Sequence, residues 1–141
     1  MKKIFVTRKL LKENEEKLKS IFEVVLNQDD RIYSTKEIIE GSKNCDGILS
    51  SVTDSLNKDT ILKLSKNIKI IANGAVGFGN IDIKAAKEKG ITVTNTPDVL
   101  TDATADIQIL LLLGASRKAY EGRLAAETQN WKWSWDFLLG K

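Results

Sequence analysis

Ile68-Lys69-Ile70-Ile71-Ala72-Asn73-Gly74-Ala75-Val76-Gly77-Phe78-Gly79-Asn80 decides the fold of this chain, because an apolar, β-branched run of strand length ends abruptly in a cluster of three glycines. The next segment is helical: Ile83 to Lys89 carries helix formers on a helical period, Gly90 is a stop signal, and Ile91 to Thr94 is again a short strand. Strand, glycine turn, helix and strand in about 25 residues is the repeating unit of a parallel sheet.

The same unit recurs upstream. Lys2 to Thr7 reads as a strand, and Leu10 to Phe22 as an amphipathic helix with Leu11, Leu18, Ile21 and Phe22 among charges. Glu23 to Leu26 is a second apolar run. Ser34 to Ile39 is a short helix capped by Ser34 or Thr35, with Glu37 in its first turn where the helix dipole favours an acid. Gly47 to Leu49 reads as a strand and Lys58 to Leu64 as a helix. Five short strands alternating with helices predict an α/β fold, a doubly wound parallel five-stranded sheet with helices on both faces. Ligands of such folds meet the loops at the carboxyl ends of the strands, which here are Thr7-Arg8, Ser50 to Asp54, Asn73 to Asn80 and Asn95 to Leu100.

Composition bounds the chemistry. The 141 residues include 22 basic and 19 acidic side chains, a net charge of +3, one cysteine, one proline and no histidine. A chain of this length buries roughly two-thirds of its unfolded surface, enough for one core without staples. Without histidine and with Cys45 alone, neither a zinc site nor histidine acid–base chemistry can be built from this chain by itself. The single cysteine excludes an internal disulfide and points to a reduced, cytoplasmic setting. Lys and Glu are interleaved, as in Lys12-Glu13-Asn14-Glu15-Glu16-Lys17, and no run of five basic residues occurs, so a nucleic-acid footprint is not expected. Nor is a membrane segment: Ile4-Phe5-Val6 is too short for a signal core, and Leu110 to Leu113 too short for a span.

The character changes after Leu100. Thr101 to Ala126 reads as one long helix whose segment Ile107-Gln108-Ile109-Leu110-Leu111-Leu112-Leu113 is apolar nearly all round. Such a helix needs cover on more than one side, either at the centre of one domain's core or between two domains or subunits. The tail from Asn130 to Leu139 holds all three tryptophans and favours the second reading, an arm packing on a partner.

Two motifs carry chemistry. The run Gly74-Ala75-Val76-Gly77-Phe78-Gly79 is G-x-x-G-x-G on a late strand, not the G-x-G-x-x-G of a dinucleotide fingerprint on the first strand of its unit. Its glycines let backbone approach a ligand and turn N–H groups outward into an anion-binding nest suited to a carboxylate; the alternative is a tight turn with no ligand. In Asn95-Thr96-Pro97-Asp98-Val99-Leu100-Thr101-Asp102 the proline makes a rigid connection, Thr101 is the expected N-cap and Asp102 lies in the first turn; spacing alone reads this as capping. A response-regulator receiver is excluded, since Thr7-Arg8-Lys9 stands where its acidic magnesium cluster belongs. A flavin binder is excluded too, since Thr7 alone does not make a phosphate loop.

Ile70 to Asp82, and then Gly90-Ile91-Thr92-Val93-Thr94-Asn95-Thr96-Pro97-Asp98-Val99-Leu100-Thr101-Asp102-Ala103-Thr104-Ala105-Asp106, resemble the D-isomer-specific 2-hydroxyacid dehydrogenases, most closely the glyoxylate and hydroxypyruvate reductases. The resemblance covers essentially the whole chain. It implies a flavodoxin-like substrate-binding domain at residues 1–100, an interdomain and dimerisation helix at 101–126, and an arm at 127–141 leading to a nucleotide-binding domain outside this chain. It further implies that the catalytic Arg, Glu and His lie beyond Lys141, so that this chain is the N-terminal portion of an NAD- or NADP-dependent oxidoreductase and is inactive alone. By the same resemblance the N–H groups of Val76 and Gly77 bind the carboxylate of a 2-oxo acid such as glyoxylate or hydroxypyruvate. Ser51 and Val52 line that pocket, Leu100 and Thr104 approach the nicotinamide, and Trp133 reaches a neighbouring subunit's site in a homodimer. Gly79 replaces a common Asp, and Gln108 a small apolar residue that, if buried, needs partners for its amide. The competing expectation is a free-standing, non-enzymatic module that binds a carboxylate or pairs with a separate nucleotide-binding subunit. The tryptophans and the apolar helix count against it.

Overall fold

The computed structural model describes residues 1–129. They fall into two compact units, Met1–Asp98 and the chain from Val99 onward.

The first unit runs β1 (Lys3–Val6), α1 (Lys12–Ile21), β2 (Glu23–Val25), α2 (Thr35–Gly41), β3 (Gly47–Ser50), α3 (Lys58–Lys63), β4 (Ile70–Asn73), α4 (Ile83–Glu88) and β5 (Thr92–Thr94). Its strands form one sheet in the order β2-β1-β3-β4-β5, with every pairing parallel. The chain steps one way from β1 to β2 and the other way from β2 to β5. Right-handed crossovers therefore place α1 on one face and α2, α3 and α4 on the other. The flavodoxin-like, doubly wound sheet expected from the sequence is the one observed.

Register shows which face is the core. Phe5, Ile48, Ile71 and Val93 are successive partners across the sheet and share one face. They pack with Ile38, Ile61, Ala85 and Ala86 of α2, α3 and α4 in a single apolar cluster. Ring stacking of Phe5 on Tyr33, with centroids 5.5 Å apart, extends that cluster toward β2. α1 contributes nothing to it, and its N-cap Leu11 and its last residue Ile21 are exposed, so the apolar stripe read there is only partly covered.

Local signals fix the helix ends. Ser34 forms a full capping box with Glu37, satisfying two first-turn donors reciprocally. α4 ends in a Schellman motif: Gly90, at φ 73°, donates its N–H to Lys87 O at 3.0 Å, and Ile91 N donates to Ala86 O at 2.8 Å. Just before it, Lys89 Nζ donates to the carbonyls of Ile61, Leu62 and Leu64 and so closes the end of α3. Burial there pushes the Lys89 ammonium below its ordinary value, with Lys66 adding repulsion.

The second unit contains α5 (Thr101–Ser116) and α6 (Ala119–Glu127), where the sequence predicts one continuous helix. The break lies at Lys118, which adopts a left-handed φ of 53°, a conformation that costs a non-glycine residue about 1–2 kcal/mol. Gly114 and Ser116, weak helix formers, occupy the last turn of α5, and Ser116 Oγ donates back to Leu113 O at 3.0 Å. A second correction concerns the start of α5. Its N-cap is Leu100, which supplies no side-chain bond, and Thr101 is the first helical residue rather than the cap. No residue of α5 is buried, and Gln108 is exposed, so its amide needs no internal partner. Among the described residues no helix is long and apolar enough to cross a membrane.

Candidate functional site

Strand order reverses between β1 and β3, and the loops at their carboxyl ends diverge there to leave a crevice. A cavity of about 310 Å³ occupies it, lined by Thr7, Arg8, Lys9, Ser50, Ser51 and Gly74 among others. A larger groove, about 580 Å³, follows β5 and α4 past Phe78, Ile83, Lys87 and Asn95 without reaching Ser51; neither space is lined by Val76 or Gly77. The switch-point cavity is the better candidate because polar backbone and side chains from three strands converge on it.

These loops are knitted by a buried polar network that no sequence motif announces. Asn73, the last residue of β4, is 2% exposed. Its Nδ2 donates to Gly77 O at 2.9 Å and Asn80 Oδ1 at 3.3 Å, and its Oδ1 accepts from Ser50 Oγ at 3.0 Å. Asn80 Nδ2 then donates to Ser51 O at 3.0 Å and Asp54 O at 3.1 Å. Asp54, also buried, receives Thr7 Oγ1 at 2.5 Å and Ser51 N at 2.7 Å on Oδ2. Its Oδ1 is buried without a hydrogen-bond partner among the described residues. Through two asparagines, then, Ser51 and the Val76-Gly77 turn are tied into one body. Asn95 Nδ2 and Thr96 N bind that turn from the other side, on Val76 O at 2.8 Å and Ala75 O at 2.9 Å.

The glycine loop does not use left-handed backbone. None of Gly74, Gly77 and Gly79 has positive φ, and a Cβ added at Gly77 or Gly79 would meet nothing within 4 Å. Their contribution is an uncovered backbone rather than a left-handed one. Val76 and Gly77 are exposed, and their N–H groups have no acceptor among the described residues. Val52 is 60% exposed on the neighbouring loop, while Ser51 is half-buried. Leu100 and Thr104 are exposed and belong to the second unit. Trp133 and the rest of the tryptophan-rich tail lie outside the described residues.

Arg8 and Lys9 border the cavity, and the Arg8 charge is paired. Arg8 holds Asp30 by two hydrogen bonds, Nε to Oδ1 at 2.8 Å and Nη2 to Oδ2 at 3.2 Å, and Lys9 N adds a third at 2.9 Å. The Arg8 hydrogen bonds, then that of Lys9, lower the Asp30 carboxyl to about 2. Arg31 likewise lowers Glu37 to about 2, with help from Ser34. Folded-state values below the ordinary 3.8 and 4.5 mean that both groups stabilise the fold above that range and lose the effect as pH falls through about 2. Thermal melts are therefore expected to drop between about pH 4 and pH 2, and Asp30→Asn to flatten part of that slope. An unchanged profile for Asp30→Asn would contradict the pairing.

A dinucleotide does not fit the glycine loop. The loop follows β4 rather than β1, and the helix after it starts with Asp82, whose carboxylate caps Ala85 N at 2.9 Å where a diphosphate would have to sit. Among the described residues no group of His, Cys, Asp or Glu is placed to hold a metal ion.

The family described as D-isomer specific 2-hydroxyacid dehydrogenase, catalytic domain, matches residues 4–130. The chain belongs to this family. A glyoxylate reductase of Korarchaeum cryptofilum is 38% identical over 97% of this chain and 41% of its own length. A glycerate dehydrogenase of Hyphomicrobium methylovorum is 36% identical over 92% of this chain and 39% of its own. Among solved structures, an NADPH-dependent glyoxylate/hydroxypyruvate reductase from Sinorhizobium meliloti, in complex with NADP and malonate, superposes with a TM-score of 0.75. It is 30% identical and covers 92% of this chain and 39% of its own. The chain thus spans about two fifths of the length of the curated 2-hydroxyacid dehydrogenases it matches.

Proposed function

We propose that this chain is the substrate-binding and dimerisation part of an NAD- or NADP-dependent 2-hydroxyacid dehydrogenase that reduces 2-oxo acids such as glyoxylate or hydroxypyruvate in the cytoplasm. The observation that carries the reading is the pair of exposed, internally unbonded amides at Val76 and Gly77, held against Ser51 by Asn73 and Asn80. Two adjacent N–H donors suit a carboxylate. Ser51 and Val52 border the bound acid, Leu100 and Thr104 face the nicotinamide, and Trp133 completes a partner's site. Since the sequence has no histidine, a histidine proton donor has to come from outside these 141 residues. No part of hydride transfer is assigned to the glycine loop.

Amide NMR of the 141-residue chain titrated with oxalate, a 2-oxo acid analogue, tests this. Saturable shifts are expected at Val76, Gly77 and Ser51, with no oxidation of NADPH on adding glyoxylate. Shifts confined to the Thr92–Asn95 groove, or none, would overturn the site. The exposed leucines of α5, Leu110 to Leu113, support self-association, for which the expected solution mass is twice 15.7 kDa.

A further inference from the structure

Each peptide unit carries its C=O and the next residue's N–H on opposite edges of one plane. All peptide bonds of the described chain are trans. The N–H of Val76 therefore points opposite to Ala75 O, and the N–H of Gly77 opposite to Val76 O. Both carbonyls are bound by the same two-residue segment, Ala75 O by Thr96 N at 2.9 Å and Val76 O by Asn95 Nδ2 at 2.8 Å. In an extended strand successive carbonyls alternate in direction; here two in a row are held by adjacent residues of one neighbouring segment, which fixes both peptide planes and leaves both N–H groups without an acceptor among the described residues. Adjacent amides, held in place and unbonded, are what an anion cradle uses. Pro97 keeps Thr96 extended and so holds the template in place.

We propose that Asn95 is a positioning residue, whose side-chain amide sets the Val76–Gly77 peptide plane and thereby aims the Gly77 N–H at the substrate carboxylate. The inference rests on the carboxylate reading above. It assigns the two donors different supports: the Gly77 donor depends on a side chain, and the Val76 donor on a main-chain N–H that no substitution removes except proline. Asn95 itself does not touch the acid.

The experiment replaces Asn95 by alanine and, at similar volume, by leucine; both are neutral, so the charge seen by an anion is unchanged. Oxalate is titrated into the wild-type and variant 141-residue chains while the amide and carbonyl resonances of residues 75–78 are followed. In the variants the Val76 carbonyl resonance should move upfield, oxalate affinity should fall ~10-fold, as for one lost charge-assisted bond, and the Gly77 amide should stop responding while Val76 continues to shift. Equal affinity and an intact Gly77 response in both variants would overturn the positioning role and leave the carboxylate site standing. Loss of both responses together, or of the folded spectrum in both variants, would overturn it in favour of a purely structural role. Failure of the wild-type chain to shift at either amide would instead remove the carboxylate site, and this inference with it.

Discussion

Asn73→Ala is expected to lower the unfolding free energy by ~3 kcal/mol, since a buried donor or acceptor left unpaired costs about 1–3 kcal/mol. The substitution strands Ser50 Oγ, Gly77 O and Asn80 Oδ1 at once, in a position 2% exposed. Both hydrogens and the oxygen of the Asn73 amide are used, so no other side chain of similar size reproduces all three contacts. Asn73→Asp is the sharper comparison. It keeps the shape and the acceptor for Ser50 but turns the donor facing two oxygens into a third oxygen, and it should destabilise at least as much as alanine. Urea unfolding followed by circular dichroism measures both; a loss below about 1 kcal/mol for either would mean that solvent replaces these bonds and that the network does not hold the loops.

Ile71→Ala should cost ~3–4 kcal/mol, within the range for a fully buried aliphatic truncation. Ile71 is completely buried at the middle of the core face, flanked in register by Ile48 on β3 and Val93 on β5. The strands on either side are fixed by their ladder bonds, so the space left cannot close by a backbone shift and the cavity contribution stays large. Ile71→Val, which removes one methyl group, should cost ~1 kcal/mol. If the two variants proved equal, the core face would be looser than its burial indicates. Neither should change which amides respond to oxalate, because the side chain at 71 faces α2, α3 and α4 and not the cavity; Asn73→Ala should blunt the Gly77 response.

Much of the fold is legible in the sequence because the relevant signals are local. β-branched runs, the Ser34–Glu37 capping box and the glycine stop at Gly90 each act within a few residues. The end of α5 at Ser116 is not legible, because the break behind it is a left-handed lysine, a residue with no turn signature. The strand-end loops and the glycine cluster mark where the candidate site lies, while the φ of these glycines, positive in none of the three, is decided by the folded loop. Asn73, Asn80, Asp54 and Asn95 give no local signal at all. Each is an ordinary polar residue at a strand end or in a loop, and its role comes from partners up to 47 residues away.

The alternation of strands and helices follows from residue type and periodicity, and the family from the motifs at Ile70 to Asp82 and Gly90 to Asp106 together with the match over residues 4–130, all properties of the chain alone. The folded arrangement was needed to establish that two asparagines bind Ser51 to the Val76-Gly77 turn, and that Asn95 and Thr96 hold two successive carbonyls of that turn. A hydrogen bond between distant segments depends on where the sheet brings them, and strand order is set by packing of the whole core.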